Sequence, residues 1–277
     1  MSSVTDDQVA RAARKLGVTS LAQLFDGGQK RVYRADLAGE DVVLKVVATS
    51  PADPFVIRRA KREVELLATL SSPTLVKMKS ELIQKKSMGE SAAWLEEYVP
   101  GADLAEMLTA PWTQSETIDL MTDMSVGLAL AHRARVTHRD LSPRNVRKRE
   151  GDGWVVLDFG FARHTLRSGI TVAGHPGTLG FLSPEHISPH SSGPTPASDV
   201  FGIGILAYLV LAGVLPIRGN ENEDYLANLL RCQIVPLRTL RPDLDREFTG
   251  IVDKCLNPQS ARRFLNADKL TIALRGL

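Results

Sequence analysis

The stretch Val136-Thr137-His138-Arg139-Asp140-Leu141-Ser142-Pro143-Arg144-Asn145-Val146, with the segment that follows it, constrains this chain more tightly than any other part. Val146 to Arg149 and Trp154 to Leu157 are predicted strands, and Gly151-Asp152-Gly153 between them is a hairpin turn signal. An antiparallel hairpin brings its two open ends together. Asn145 precedes the first strand and Asp158 follows the second, so an amide oxygen and a carboxylate are expected side by side, with Asp140 five residues before Asn145. Oxygen ligands of this kind suit Mg²⁺, which takes one or two carboxylates together with substrate phosphates.

Composition narrows the classes of function. The chain has 277 residues, room for one large domain or two small ones. A hydrophobic share of 43% and a charged share of 24% belong to an ordinary globular protein. A net charge of +2 argues for neither a nucleic acid nor a membrane surface as partner. Cys232 and Cys255 are the only cysteines, too few for a disulfide framework or a zinc site, which points to a reducing cytoplasm. Met1 to Asp7 has neither the basic nor the apolar region of a signal peptide. Val200 to Ile217 is uncharged over 18 residues, the lower limit of a membrane span. Gly213 and Pro216 should end a helix there after roughly 13 residues, a length for a buried core helix.

Along the chain, Thr5-Asp6-Asp7-Gln8 fits a capping box, and Val9, Ala12, Ala13 and Leu16 follow at helical spacing until Gly17. Leu24 to Ala35 reads as strand, glycine turn and strand, and Asp41 to Val47 as a third strand carrying Lys45. Phe55 to Leu70 reads as a helix. Its Glu63 lies on the side of Leu67 and needs a partner, for which Lys45 is the candidate, with Glu65 as the competing glutamate. Leu75 to Met78 and Leu82 to Lys85 are predicted strands, and Ala93 to Val99 is another, running into Pro100-Gly101-Ala102-Asp103-Leu104. Thr117 to Arg133 is a predicted long helix.

His138-Arg139-Asp140-Leu141 with Asn145 resembles the catalytic loop of protein kinases, and Asp158-Phe159-Gly160 resembles their metal-binding triplet. Lys45, Glu63, Ser183-Pro184-Glu185 and Asp199 follow the same family order, and the likeness extends from about Leu21 to the end. The chain is identified on these residues as a member of the eukaryotic-type Ser/Thr protein kinases, of the kind also found in bacteria. The resemblance implies an α+β bilobal fold. Residues 1–20 are a helical extension, 21–99 a small β-rich lobe with one main helix, and 100–277 a larger, mostly helical lobe.

It also implies roles. Lys45 holds the α- and β-phosphates of ATP and Glu63 orients Lys45; Asn145 and Asp158 hold Mg²⁺, with Mn²⁺ as an alternative; Asp140 takes or orients the substrate hydroxyl. Gly27, Gly28, Val32 and Val43 surround the nucleotide, the backbone of Glu97 to Val99 contacts adenine, and Asp103 faces the ribose. Arg139 can bind a phosphate on the activation segment, where Thr165, Ser168 and Thr171 are acceptors and Thr178 lies close to Ser183-Pro184-Glu185. His138, Phe159, Gly160, Glu185 and Asp199 have structural roles, Asp199 anchoring the catalytic-loop backbone. Arg262 or Arg263 pairs with Glu185. The partners implied are protein substrates, and the site of action is the cytoplasm.

Several positions depart from the family. Its three loop glycines fall on Phe25, Gly27 and Lys30, so only the middle one is kept. Val43 replaces a small alanine. Glu96 occupies the gatekeeper position, where an apolar or hydroxyl side chain is usual. Ser142 replaces a lysine that contacts the transferred phosphate, and Arg144, two residues on, can supply that charge. A pseudokinase acting as a binding or scaffolding module and a small-molecule kinase of the aminoglycoside or choline type are the alternatives. Intact Lys45, Asp140, Asn145 and Asp158 argue against the first, and the Ser183-Pro184-Glu185 segment against the second.

Overall fold

The computed structural model describes residues 3–27, 30–49, 61, 64–65, 67–84, 90–151, 153–159, 179–187, 193–217, 219 and 222–277. They form two units. The first holds the chain up to Ser72 and then Val76–Val99; the second holds Pro73–Leu75, Pro100–Phe159 and the residues towards Leu277.

In the first unit, helix α1 (Asp6–Leu16) starts at a capping box. Thr5 and Gln8 each accept a hydrogen bond from the other's backbone N–H, and Gly17 ends the helix in the left-handed region at φ 73°. Four antiparallel strands follow in sheet order: β1 (Thr19–Asp26), β2 (Lys30–Leu37), β3 (Glu40–Ala48) and β4 (Ser91–Glu97). Strand side chains alternate between faces, and here both faces of the inner strands are used. Tyr33, Ala35, Val42, Leu44, Val46, Ala93 and Leu95 pack with Val9, Ala12 and Ala13 of α1 in one core. The opposite face carries Val32, Val43, Lys45, Val47, Trp94 and Glu96, and all of these but the half-buried Val43 are buried. β1 is exposed along its whole length.

The predicted strands at 75–78 and 82–85 reduce to single bridges, at Leu75, Met78 and Ile83. Ile83 and Ala93 exchange a pair of backbone bonds at 2.8 and 2.9 Å and Lys79 N–H donates to the Leu95 carbonyl at 2.8 Å, but among the described residues no ladder extends from these bridges.

The second unit is built around two helices. Helix α2 (Gln114–Arg133) is capped by Thr113 and Glu116, three residues earlier than the apolar pattern alone suggests. Helix α3 (Pro196–Ala212) is buried on nearly every side and stops at Gly213, φ 67°. Its uncharged run is therefore core. Among the described residues no helix is long and apolar enough to cross a membrane. Helices α4 (Asn222–Arg231), α5 (Arg246–Cys255) and α6 (Ala267–Leu274) follow, and a buried Thr271–Ser125 hydroxyl bond of 2.9 Å ties α6 to α2.

A second small sheet lies in this unit. Its strands β5 (Gly101–Asp103), β6 (Val146–Arg149) and β7 (Trp154–Val156) are antiparallel, with β6 in the middle. Gly101 has φ 124°, and a Cβ there would sit 2.0 Å from the Lys148 carbonyl oxygen, so only glycine fits this entry to β5.

Candidate active site

The hairpin β6–β7 closes as its sequence suggests. Leu157 N–H donates to the Asn145 carbonyl at 2.8 Å, which brings residues 145 and 158 to the same end. The Asn145 side-chain NH₂ donates to the Asp140 carbonyl at 2.7 Å, and Asn145 N–H to the Ser142 carbonyl at 2.9 Å. With its NH₂ used inside the loop, Asn145 keeps its amide oxygen as the donor a metal would take. Asp158 has φ 59° and Arg139 φ 68°, left-handed values that non-glycine residues adopt at an energetic cost. Both belong to the triplets singled out in the sequence, and Arg139 is held through its backbone N–H by Asp199 and through its carbonyl by His186.

His138 is the connecting piece. Its Nε2–H donates to the Leu157 carbonyl at 2.7 Å, Nδ1 accepts from Asp140 N–H at 3.2 Å, and the ring lies 4.7 Å from the buried Phe159 ring. Asp199, at the start of α3, accepts from His138 N–H at 2.8 Å, Arg139 N–H at 2.9 Å and His132 Nε2–H at 2.8 Å. Burial acts to raise the Asp199 carboxyl pKa, but the hydrogen bond from His132 and the backbone N–H donors hold it below the usual carboxylate value. A fixed negative charge therefore sits beneath the catalytic-loop backbone. Asp140 and Asn145 are half-buried, Ser142 is buried and Arg144 is exposed. One carboxylate and one amide oxygen are the protein share of an Mg²⁺ site completed by nucleotide phosphates, so the residues fit that ion.

In the first unit, Lys45 on β3 is buried, and its Nζ lies 2.6 Å from Glu96 Oε2. The other Glu96 oxygen accepts from Trp94 Nε1–H at 2.7 Å. The competing Glu65 is exposed and pairs with Lys61 at 3.8 Å, which removes it as a partner for Lys45. Val32 lies opposite Lys45 across β2–β3, and Val43 is half-buried. Gly27 N–H donates to the Lys30 carbonyl at 3.0 Å, and the Phe25 ring covers Gly27, where a Cβ would come within 2.5 Å of it. Glu97 exchanges bonds with Lys77, its N–H donating to the Lys77 carbonyl at 2.9 Å, and Val99 is buried. In the second unit, the Asp103 carboxylate caps the short turn Leu104–Met107 by accepting from Glu106 N–H at 3.0 Å. Gly28, Glu63, Gly160, Thr165, Ser168, Thr171 and Thr178 lie outside the described residues.

Comparison with known proteins settles the family. The protein kinase domain model matches residues 19–271. The chain belongs to the protein kinase domain family. Curated relatives include the serine/threonine-protein kinases pkn2 and pkn3 of Myxococcus xanthus. The first is 29% identical over 92% of this chain and 31% of its own length, the second 30% over 99% and 52%. PknB of Mycobacterium tuberculosis is 29% identical over 88% of this chain and 40% of its own length. The chain thus spans about a third to a half of these relatives. Among solved structures, the PknI kinase domain of Mycobacterium tuberculosis superposes with a TM-score of 0.70 at 23% identity, covering 94% of this chain and 96% of that one. Rad53 residues 1–466, in complex with AMP-PNP, reach 0.72 at 21% identity, with 92% and 63% covered. Both show the bilobal kinase fold.

Within the kinase domain, the choice between Arg262 and Arg263 is resolved by burial. Arg262 is exposed. Arg263 forks onto Glu185 at 2.6 and 3.0 Å, donates to the carbonyls of Asn257, Ala197 and Pro258, and lies over the Phe201 ring at 4.5 Å. Ser198 Oγ–H donates to the same Glu185 at 2.6 Å. Arg263→Met, which strands a buried carboxylate, is expected to lower stability by about 3–5 kcal/mol in urea unfolding. Arg262→Ala should stay within about 0.5 kcal/mol.

Sequence reasoning passed over His132 and His186. His132 lies in the last turn of α2, where Nδ1 also accepts from Ala267 N–H at 3.2 Å. Its one signal is a polar, ring-bearing residue directly after the apolar run Leu128 to Ala131. His186 donates from Nε2 to the Arg139 carbonyl at 3.0 Å, while Nδ1 accepts from Ser183, whose Oγ is 2.8 Å away. The Ser183-Pro184-Glu185 turn is thereby fastened to the catalytic loop, a contact across 47 residues that no local pattern announces.

Proposed function

We propose that this kinase domain transfers the γ-phosphoryl group of ATP to serine or threonine hydroxyls of proteins, its own activation segment among the candidates. The observation that carries this reading is the catalytic loop, in which His138, Asn145 and Asp199 between them bond Asp140 and its neighbours on every side. Phosphoryl transfer asks the protein chiefly for positioning and charge stabilisation. Asp140 orients the acceptor hydroxyl and takes its proton as the oxygen attacks. Lys45 binds the non-transferred phosphates. Asn145 and Asp158 present oxygens to Mg²⁺, or to Mn²⁺ in its place, which when bound with the nucleotide neutralises charge on the phosphates. Arg144 supplies a positive side chain where Ser142 lacks one, and Arg139 is the receiver for a phosphate on Thr165, Ser168 or Thr171.

The relatives' names, serine/threonine-protein kinases, support serine and threonine as acceptors. The test is incubation with γ-labelled ATP, Mg²⁺ and a generic protein substrate, followed by phosphoamino-acid analysis. Label in phosphoserine and phosphothreonine is expected. Label confined to phosphotyrosine, or nucleotide binding without any transfer, overturns the reading.

A further inference from the structure

We propose that Glu96, at the gatekeeper position, is a positioning residue that holds the phosphate-binding Lys45 from within the sheet. It would be a carboxylate partner of that lysine supplied by the sheet itself. The inference rests on the reading above that Lys45 serves ATP.

The strand register creates the arrangement. Across β3 and β4, Lys45 is directly opposite Trp94 and Val43 is directly opposite Glu96. All four share one face, because side chains two residues apart along a strand point the same way. Lys45 and Glu96 are thus diagonal neighbours, a separation that long side chains bridge. The ammonium and the carboxylate stand 2.6 Å apart, with side-chain exposures of 5% and 3%.

A buried carboxylate is tolerated only where its oxygens are satisfied, and both oxygens of Glu96 are. One faces Lys45 and the other accepts from the indole of Trp94, itself 1% exposed. The indole bond removes the freedom of the carboxylate to rotate away. An ammonium carries three N–H donors, so a bond to Glu96 does not by itself use up Lys45. The whole triad stands on two adjacent strands locked by a continuous ladder of hydrogen bonds. A lysine held this way is positioned by the same ladder that fixes its own strand.

The experiment is steady-state kinetics with varied ATP on purified wild type, Glu96→Gln, Glu96→Leu and Glu63→Gln, with nucleotide binding measured in a Lys45→Met background. Glu96→Gln is nearly isosteric and keeps an acceptor for Trp94. It is expected to lower kcat/KM for ATP by about tenfold or more. The KM for the protein substrate should stay unchanged, and the melting temperature within a few degrees of wild type. In the Lys45→Met background, Glu96→Gln should have no further effect on nucleotide affinity, since Glu96 acts through Lys45. A purely structural role would still show there.

The inference is overturned if both Glu96 variants keep kcat/KM within about twofold of wild type. It is equally overturned if Glu63→Gln abolishes activity while Glu96→Gln keeps it, or if the Glu96 effect persists without Lys45. Should Glu96→Leu fail to fold, Glu96→Gln alone decides. Absence of transfer by the wild type, by contrast, sinks the kinase reading itself.

Discussion

Asp140→Asn is expected to reduce phosphoryl transfer by about 10²–10⁴-fold while leaving nucleotide binding nearly intact. The substitution keeps the shape of the side chain and removes its negative charge and with it the ability to accept a proton. The backbone around it is held independently. Asp140 N–H donates to His138 Nδ1, and the Asp140 carbonyl receives the Asn145 amide. Neither bond uses the carboxylate, so the loop should not rearrange when the charge is lost. Transfer assays with labelled ATP, paired with titration of a fluorescent nucleotide, separate the two quantities. A variant that retains most of its activity would remove Asp140 from its assigned role.

The second large effect is structural in origin. Asp199→Ala should destabilise the kinase domain by about 3–5 kcal/mol, with the melting temperature falling by roughly 10 °C, and activity should fall at least as steeply as for Asp140→Asn. The carboxylate accepts from three buried donors, His132 Nε2–H, His138 N–H and Arg139 N–H, and alanine leaves all three unsatisfied. Two of them fix the backbone of the catalytic loop at the point where Arg139 takes its left-handed φ of 68°. Without the acceptor that conformation loses its support. Calorimetry gives the stability change, and assays well below the lowered melting temperature give the activity of the folded fraction. A variant as stable as wild type would show that the anchor carries no weight.

Much of the local structure was legible in the residues. The Thr5–Gln8 capping box, the hairpin from Val146 to Val156 and the stop at Gly213 all form where turn and cap chemistry places them. Such features depend on groups within a few residues, and the chain itself holds those together. The start of α2 was read late because its cap, Thr113 with Glu116, precedes the apolar pattern. The strands read at 75–78 and 82–85 failed for the opposite reason: apolar runs have strand propensity, but a ladder needs a partner edge in register.

The same division runs through the active site. Sequence by itself determined the family, the order of Lys45, the His138-Arg139-Asp140 loop, Asn145 and Asp158, and the closeness of Asn145 to Asp158, since one hairpin sets that distance. Tertiary structure alone decided who partners whom over long separations. It chose Arg263 over Arg262 by burying one guanidinium and exposing the other. It brought His132 to Asp199 across 67 residues and His186 to Arg139 across 47. It also turned Glu96 from an odd residue at a familiar position into the carboxylate beside Lys45. The physical reason is common to all four. A charged or ring-bearing side chain that leaves water must be met by a complementary group, and which group arrives is settled by packing, burial and register rather than by distance along the chain.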